Sequence, residues 1–387
     1  MKIWAFSDKT TLMNRLICIL GLVLACQGFA IENWEDFAIE PKTEKFDGKE
    51  YRLIYTAEEL AWVAKTTDHP ESQGSIPNVR LMADIDLGGK LWTPICAGKG
   101  TPHFDAVFDG NGFFVENMYI KGSELLEIHD GKTVYIQNIG FIGVLGSGTV
   151  KNLALKNVNI LATNDDGTNP GTNEISVGGL VGWKNETASG TIDGVSVSGT
   201  ITVSGKGQGI GGIVGNAKAG TIKNCISTVS IYASGNKSYI GGVVGLTKAN
   251  LNVESCVYAG ENLVNTGKDG AVGAIVGDHR SGTLTTTGTY FDSDLFDTGV
   301  GKGTVSPTNP VEELNSEEVI CALNGGNLDE NGILHRSELA ESFARKYQLI
   351  MIDEYQDSND KQDCLFKLLS QDCRISEDGR TLRYGTN

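Results

Sequence analysis

Apolar and polar residues alternate through long segments in the middle of this 387-residue chain. The apolar positions of two such segments are Leu153, Leu155, Val158 and Ile160, then Val195, Val197, Ile201 and Val203. Clusters of Asn, Asp, Gly and Ser separate the segments, as at 164–167 and 204–207. A side-chain period of two that is bounded by turn residues predicts short β-strands joined by tight turns.

A glycine-flanked apolar box occurs five times between residues 142 and 277. The boxes run from Ile142 to Gly146, Val177 to Gly182, Ile210 to Gly215, Ile240 to Gly245 and Val272 to Gly277. The closing glycines lie 36, 33, 30 and 32 residues apart. A period in this range is typical of stacked supersecondary units that bury their apolar faces on their neighbours.

A unit of this length holds two or three strands and fits a coil that advances ~4.8 Å per turn. We therefore predict an all-β fold, a right-handed parallel β-helix or solenoid. A propeller is the weaker alternative because each blade needs four strands and usually about 40 residues. The box glycines are expected to permit positive φ and close approach of neighbouring coils at the corners.

Three boxes carry a family resemblance. VGGLVG (177–182), IGGIVG (210–215) and IGGVVG (240–245) resemble the GLUG motif of bacterial secreted and cell-surface proteins, adhesin-like and protease-associated ones among them. The upstream segments 53–60, 79–87 and 104–112 fit the same resemblance, which extends over roughly residues 50–335. It implies an exported solenoid and leaves the ligand open. Val144 and Ala274 depart from the motif in the first and last boxes, as terminal repeats do.

A short helix is predicted ahead of the repeats. Thr56 and Glu59 form a capping box, and the residues that follow at helical spacing, Leu60, Ala61, Val63 and Ala64, give one apolar face. Such a helix is suited to cover the open end of the stack, where unpaired strand edges would otherwise invite association with other chains.

The amino terminus indicates export. Basic residues precede an apolar run at 16–25, and small residues at Gly28 and Ala30 precede Ile31. This pattern predicts a secretory signal peptide, residues 1–30, that is cleaved after Ala30. The run is too short to span a bilayer comfortably. A lipoprotein with its lipid on Cys26 is the alternative.

Composition narrows the choice of partners. The chain has 48 acidic and 32 basic residues and a net charge of −16, which argues against nucleic acid or an anionic membrane as partner of the repeat region. A surface glycan or protein is the expected partner, no cofactor is expected, and the expected location is secreted or at the cell surface. No other stretch of the sequence reaches transmembrane length either.

Cysteines suggest no metal site. Cys225 and Cys256 fall at the same place in consecutive units, so they are predicted to stack either as a disulfide or, the favoured interpretation, as buried apolar thiols in the core. The chain has no CxxC motif, and zinc is therefore not expected.

No catalytic residue is expected in the repeats. Four carboxylates, Asp84, Asp86, Asp105 and Asp109, resemble the acid pairs of polysaccharide-cleaving β-helices, although Asp before Gly or Asn is also ordinary turn chemistry. The histidines are scattered and lack a partnered Ser or Cys motif. The segment 299–304 looks like a phosphate loop but fails its spacing, and a surface turn is the preferred interpretation.

The carboxyl end has a different character. Apolar residues 349–352 precede DEYQDSN at 353–359, and amphipathic helical patterns flank them. This αβα element resembles the Walker B region of UvrD-like superfamily 1 helicases. The resemblance implies that Asp353 would hold Mg²⁺, that Glu354 would orient or deprotonate the attacking water, and that Gln356 would relay the nucleotide state.

Activity is nevertheless not expected from this tail, because the sequence contains no Walker A motif and the later helicase motifs are missing. The predicted organisation is a signal peptide at 1–30, an N-terminal segment with the capping helix at 31–75, the β-helix at 76–300, a cap or linker at 301–336 and the helicase-like fragment at 337–387. Two functions follow: a non-enzymatic exported solenoid for adhesion or for glycan or protein binding, or a fragment of an ATP- and Mg²⁺-dependent helicase fused to an unrelated exported region.

Overall fold

The computed structural model describes residues 32–67, 76–97, 103–129, 132–163, 175–185, 190–205, 208–293, 295–303, 310–311, 373–375 and 382–384. From residue 33 onward these belong to one compact unit, Asn33–Asn387.

The N-terminal part contains short strands around one α-helix. A 3-10 helix spans Trp34–Phe37, helix α1 spans Ala57–Thr67, and a 3-10 turn spans Gly122–Glu124. The strands are β1 (Lys42–Phe46), β2 (Lys49–Ile54), β3 (Asn78–Leu81), β4 (Ile85–Asp86), β5 (Val107–Asp109), β6 (Phe114–Glu116), β7 (Tyr119–Lys121), β8 (Leu126–His129) and β9 (Lys132–Tyr135).

The repeats supply most of the remaining strands. These are β10 (Asn138–Ile139), β11 (Ile142–Leu145), β12 (Thr149–Thr163), β13 (Ile175–Gly178), β14 (Val181–Lys184), β15 (Thr191–Ser204), β16 (Gln208–Gly211), β17 (Val214–Ala217), β18 (Gly220–Lys223), β19 (Ile226–Ser227), β20 (Ser230–Ala233), β21 (Ser238–Gly241), β22 (Val244–Thr247), β23 (Leu251–Glu254), β24 (Val257–Tyr258), β25 (Leu263–Asn265), β26 (Ala271–Gly273), β27 (Val276–His279), β28 (Leu284–Thr287), β29 (Thr289–Phe291), β30 (Val300–Gly303) and β31 (Pro310–Val311). Strands β32 (Cys373–Ile375) and β33 (Leu382–Tyr384) form a separate antiparallel pair.

The architecture is a parallel β-helix, as the sequence predicts. One coil runs through β15, β16 and β17, and β18 then begins the next coil beside β15. Five coils contribute one strand each to a second sheet (β10, β13, β16, β21, β26) and one strand each to a third sheet (β11, β14, β17, β22, β27), which β30 extends by one more coil. The broad first sheet has three bands, which continue through successive parts of the long strands β12 and β15.

In-register pairing stacks like residues into columns. The inward column of the first band is Val79, Phe108, Val150, Ile192, Ile222 and Val253, and each of these side chains is fully buried. The apolar sets predicted in β12 and β15 are likewise buried, whereas Lys156 and Asn159 are exposed. The alternation therefore does divide each strand into a core face and an outer face.

Left-handed residues turn the chain between the first two bands. Asn111, Asn152 and Asn224 have φ of +51°, +53° and +55°, and Gly194 and Ser255 take equivalent conformations in their coils. Asn and Gly adopt this region at the least cost. Asn157, at φ +51°, marks a second bend of β12, where the register with β15 shifts after Leu155. This bend explains why the next buried residue is Val158, three positions on.

The closing glycines of four boxes lie on consecutive coils. Val181, Val214, Val244 and Val276 pair in register, so the glycine after each one stacks on the next. A Cβ on Gly182, Gly215, Gly245 or Gly277 would come within 2.6 Å of a backbone nitrogen of the second sheet. The expected positive φ is wrong for these positions, because the left-handed glycines lie elsewhere. Close backbone approach is the reason that glycine is required there.

Two sequence assignments need correction at the ends of this column. Ile142 pairs with Val181, so Gly143, and not the predicted Gly146, is the equivalent of Gly182. The segment 299–304 is not a surface turn, since Val300 pairs with Val276 in β30. Gly301 therefore continues the glycine column by one more coil. Both errors arise because irregular turns between strands shift the spacing of the motif without changing the register of the sheet.

Helix α1 forms as predicted. The backbone N–H of Glu59 donates to Thr56 Oγ1 at 3.3 Å, and the Glu59 carboxylate accepts from the backbone N–H of Tyr55 at 2.6 Å. The apolar face, Leu60, Ala61, Val63 and Ala64, is buried in the same core cluster as the β-helix interior. The reciprocal cap and the buried face together fix the start of the helix.

We expect a Val244→Asp substitution to unfold the stack. Val244 is fully buried in the third sheet, and an unpaired buried carboxylate costs on the order of several kcal/mol. Urea unfolding followed by circular dichroism should show loss of the cooperative transition, or a much lower midpoint. Thr202→Asp, on an exposed position of β15, is the control and should unfold close to the parent chain. Equal midpoints for the two variants would contradict the burial of this column.

Candidate binding face

The two carboxylates of the second band serve as turn acceptors. Asp84 Oδ1 accepts the backbone N–H of Phe114 at 3.0 Å. Asp86 Oδ1 accepts from Asn117 Nδ2 at 2.8 Å and from the backbone N–H of Gly88 at 2.7 Å. These two hydrogen bonds, that of Asn117 first, lower the pKa of Asp86. A carboxylate held ionised in a turn is poorly suited to act as a general acid.

The other two carboxylates have comparable partners. Asp105 Oδ1 accepts from the Ser147 hydroxyl at 2.8 Å and from its backbone N–H. Asp109 is buried and accepts the backbone N–H of Asn111 at 2.8 Å, while Arg80 and Lys151 lie 3.5 and 3.7 Å from its Oδ2. All four carboxylates that sequence marked therefore hold corners or link coils, which favours the turn-chemistry interpretation.

An alternating charge ladder covers the outer side of the first band. Its members, one per coil, are Arg80, Asp109, Lys151, Asp193, Lys223 and Glu254, and each pairs in register with the next. The Lys223 Nζ atom lies 3.3 Å from Asp193 Oδ2. Opposite charges on neighbouring strands stabilise a sheet by about 0.2–1 kcal/mol per pair. Because the signs alternate, this face presents no single charge to a charged polymer.

The third band presents a different surface, which we call the neutral face. Its side chains form three columns across β12, β15, β20 and β25: Asn159, Thr200, Ser230 and Asn262; Leu161, Thr202, Tyr232 and Val264; and Thr163, Ser204, Ser234 and Thr266. None of these residues is charged, and the face ends at β7, where Lys121 pairs in register with Leu161 and its Nζ lies 2.7 Å from Glu124 Oε1. Leu161 and Tyr232 are each 39% exposed, and Val264 is 38% exposed. Sequence reasoning missed the neutral face, although its residues are the outward half of the alternating pattern.

The interior contains a few polar groups that the repeats do not require. Lys184 is fully buried in β14, in a column with Leu145 and Ala217, and its Nζ donates to the carbonyl of Ala219. Burial lowers the pKa of Lys184 to about 8. His279 is also buried, with Nε2 3.1 Å from the Gly282 carbonyl oxygen. Both side chains thus make their hydrogen bonds to backbone carbonyl oxygens.

Cys225 and Cys256 stack as predicted, on adjacent coils. Both are buried free thiols that donate to backbone carbonyls, Cys225 to Lys223 at 3.0 Å and Cys256 to Glu254 at 3.2 Å. Burial, together with the neighbouring thiol, raises the pKa of Cys225. They occupy the core as small apolar residues do.

Over the described ranges, no cluster of three or more His, Cys, Asp or Glu side chains is arranged to hold a metal ion. The same ranges contain no helix with the length and apolarity needed to cross a membrane. The Walker B-like Asp353, Glu354 and Gln356, and the predicted signal peptide, lie outside the described residues.

Comparison with known proteins gives separate similarities for the two parts of the chain. The family model of the UvrD/REP helicase N-terminal domain matches residues 315–375. Halomucin from Haloquadratum walsbyi is 28% identical over 158 residues, which are 40% of this chain and 1% of Halomucin. The chain thus spans a very small part of that protein.

A solved structure is also similar. It is described as a candidate immunoglobulin A1 protease from Bacteroides ovatus and is 16% identical, with a TM-score of 0.44 over 70% of this chain and 87% of the other. So distant a likeness carries no conclusion about activity.

The buried lysine should make stability depend on pH. The folded-state pKa of Lys184, about 8, lies below the ordinary value of ~10.4 for an unfolded lysine. Between these two values the unfolded chain binds more protons, so the free energy of unfolding should rise with pH, in total by on the order of 3 kcal/mol.

Lys184→Met should abolish that rise and should stabilise the chain below pH 8, where the parent buries an ammonium group. Urea midpoints measured from pH 7 to 10.5 test this. Lys248→Met, in a partly exposed turn, is the control and should retain the parent's pH dependence. If the urea midpoints of the parent chain and of Lys184→Met change with pH in parallel, the burial of the Lys184 ammonium group is not the cause of the rise in stability.

Proposed function

We propose that this chain is an exported, non-enzymatic β-solenoid of the GLUG type that binds a glycan or a protein at the cell surface. The observation that carries the proposal is the neutral face, an exposed uncharged strip on a protein with a net charge of −16. Function in such folds lies in surface residues that the repeat leaves free. The carboxylates considered for catalysis are, by contrast, engaged in corners.

Two further observations support export. The first 30 residues have the composition of a signal peptide. The local similarity to Halomucin, a protein with a mucin-like name, accords with a location outside the cell. A separate observation supports binding. Regularly stacked coils present an extended surface on which a ligand can make many weak contacts, as in other solenoids.

Expression of the whole chain in a bacterial host should yield an exported product that begins at Ile31, because small residues at Gly28 and Ala30 favour cleavage there. Mass spectrometry of the N-terminal peptide from the periplasm, medium or cell surface measures this directly. A variant with Ala30→Arg should keep its leader and serves as the control. A full-length product that stays in the cytoplasm contradicts export, and a lipid-modified Cys26 at the mature terminus would make the protein a tethered lipoprotein.

A second candidate function has one specific observation in its favour. The match of residues 315–375 to the UvrD/REP helicase N-terminal domain supports the alternative of an ATP-dependent helicase fragment joined to an exported repeat region. Under this alternative Asp353 and Glu354 would act with Mg²⁺ and ATP. The sequence contains no Walker A motif to cradle the phosphates.

We expect the purified chain to hydrolyse no ATP above background. Phosphoryl transfer is catalysed mainly by positioning and charge stabilisation, and two carboxylates without a phosphate loop and its lysine supply little of either. A coupled assay with Mg²⁺ and ATP, run beside Glu354→Gln, measures the rate. Turnover in the parent that disappears in the variant would support the helicase alternative.

A further inference from the structure

We propose that the neutral face binds an uncharged polysaccharide, and that Tyr232 provides the platform on which one sugar ring stacks. This inference rests on the proposed function, since it names the ligand class and the surface that would serve it.

Charge selects the class of ligand. The twelve side chains of the neutral face carry no charge, so a charged polymer would find no counterion on it. The acidic excess of the whole chain would in addition repel a polyanion. A neutral polymer avoids both penalties. The alternating ladder on the first band shows that outer positions of this solenoid accept charged residues readily, so their absence from the third band on β12, β15, β20 and β25 is a property of these four coils. The next strand of the band, β7, carries one outward charge, Lys121, whose Nζ lies 2.7 Å from Glu124 Oε1.

The spacing of the polar columns suits a repeating ligand. Asn159, Thr200 and Ser230 occupy the same position in successive coils, and coils repeat every ~4.8 Å. An extended polysaccharide advances by a similar distance per sugar residue, so its hydroxyl groups can meet the same kind of partner in coil after coil. Hydroxyl and amide side chains both donate and accept hydrogen bonds, as sugar hydroxyls do.

The central column supplies the apolar contact. Thr202 pairs with Tyr232, and Tyr232 pairs with Val264. An aromatic ring has a large apolar surface and a polar hydroxyl, which matches the C–H face and the hydroxyl rim of a sugar ring. Tyr232 is the one aromatic residue among the twelve and lies beside the polar columns, so it is the natural anchor of such a site.

A second copy of the chain fits this surface less well. Stable dimers bury about 800 Å² per partner, with an apolar centre. The neutral face offers three large apolar side chains, Leu161, Tyr232 and Val264, each less than half exposed and two of them separated from the third by Thr202. Hydroxyl and amide groups make up the rest, and these favour a hydrated ligand rich in hydrogen-bonding groups.

Affinity electrophoresis of the mature chain through gels that contain a single polysaccharide tests the proposal. The neutral probes are β-glucan, mannan and starch, and the acidic probes are polygalacturonate and hyaluronan. At least one neutral polymer should retard the chain, and the acidic polymers should not. Tyr232→Ala should weaken the retardation by about tenfold, as expected for loss of a central aromatic anchor, whereas Tyr232→Phe should largely preserve it.

Tyr55→Ala is the matched control, because Tyr55 is another exposed tyrosine, 47% exposed, that lies outside the neutral face. Circular dichroism and a urea midpoint equal to those of the parent establish that each variant is folded.

Retardation by acidic polymers alone, or equal retardation of Tyr232→Ala and parent, would overturn the inference. Sedimentation that reveals a dimer lost in Tyr232→Ala would instead assign the face to self-association. Export of the mature chain together with no retardation by any neutral polymer would overturn this inference and leave the proposed function standing.

Discussion

Direct contact between the backbones of two sheets is the constraint on which the rest of this solenoid depends. At Gly182, Gly215, Gly245 and Gly277 the third sheet approaches the second so closely that even a Cβ has no space. This contact sets the path of every coil, and the remaining side chains of the core fill the space that it leaves. Neighbouring glycines make further room, since Gly212 faces Ser227 and Gly242 faces the ring of the buried Tyr258.

Because the backbone path is fixed by these contacts, the residues that stabilise the fold differ from the residues that could recognise a ligand. Inward columns such as Val150, Ile192 and Ile222 carry the apolar burial, and left-handed Asn or Gly residues turn the corners. The outward positions are then free to differ between bands. One band carries alternating charges, and another carries hydroxyl, amide and a few apolar groups. The proposed binding role follows from this division, because the coils would stack equally well with other residues on the outer columns.

Much of the fold was accessible from sequence, because a period of two and a glycine-marked repeat have few structural solutions. Helix α1 with its Thr56–Glu59 cap, the buried sets of β12 and β15, and the stacked Cys225 and Cys256 were all predicted. The errors share one cause. Gly146 was chosen in place of Gly143, and β30 was taken for a turn, because motif spacing was used where only strand register could decide. Turns of unequal length change the spacing and leave the register intact.

The candidate site could not be predicted in the same way. Leu161, Thr202, Tyr232 and Val264 are each separated by about 30 to 40 residues in the chain, and they form a column only after β12, β15, β20 and β25 pair. The bend at Asn157 decides which residues after it face outward. Sequence by itself determined the class of fold, because burial pattern and glycine are local properties. Tertiary structure alone decided which outer residues become neighbours, because that depends on register between strands that the chain brings together from a distance.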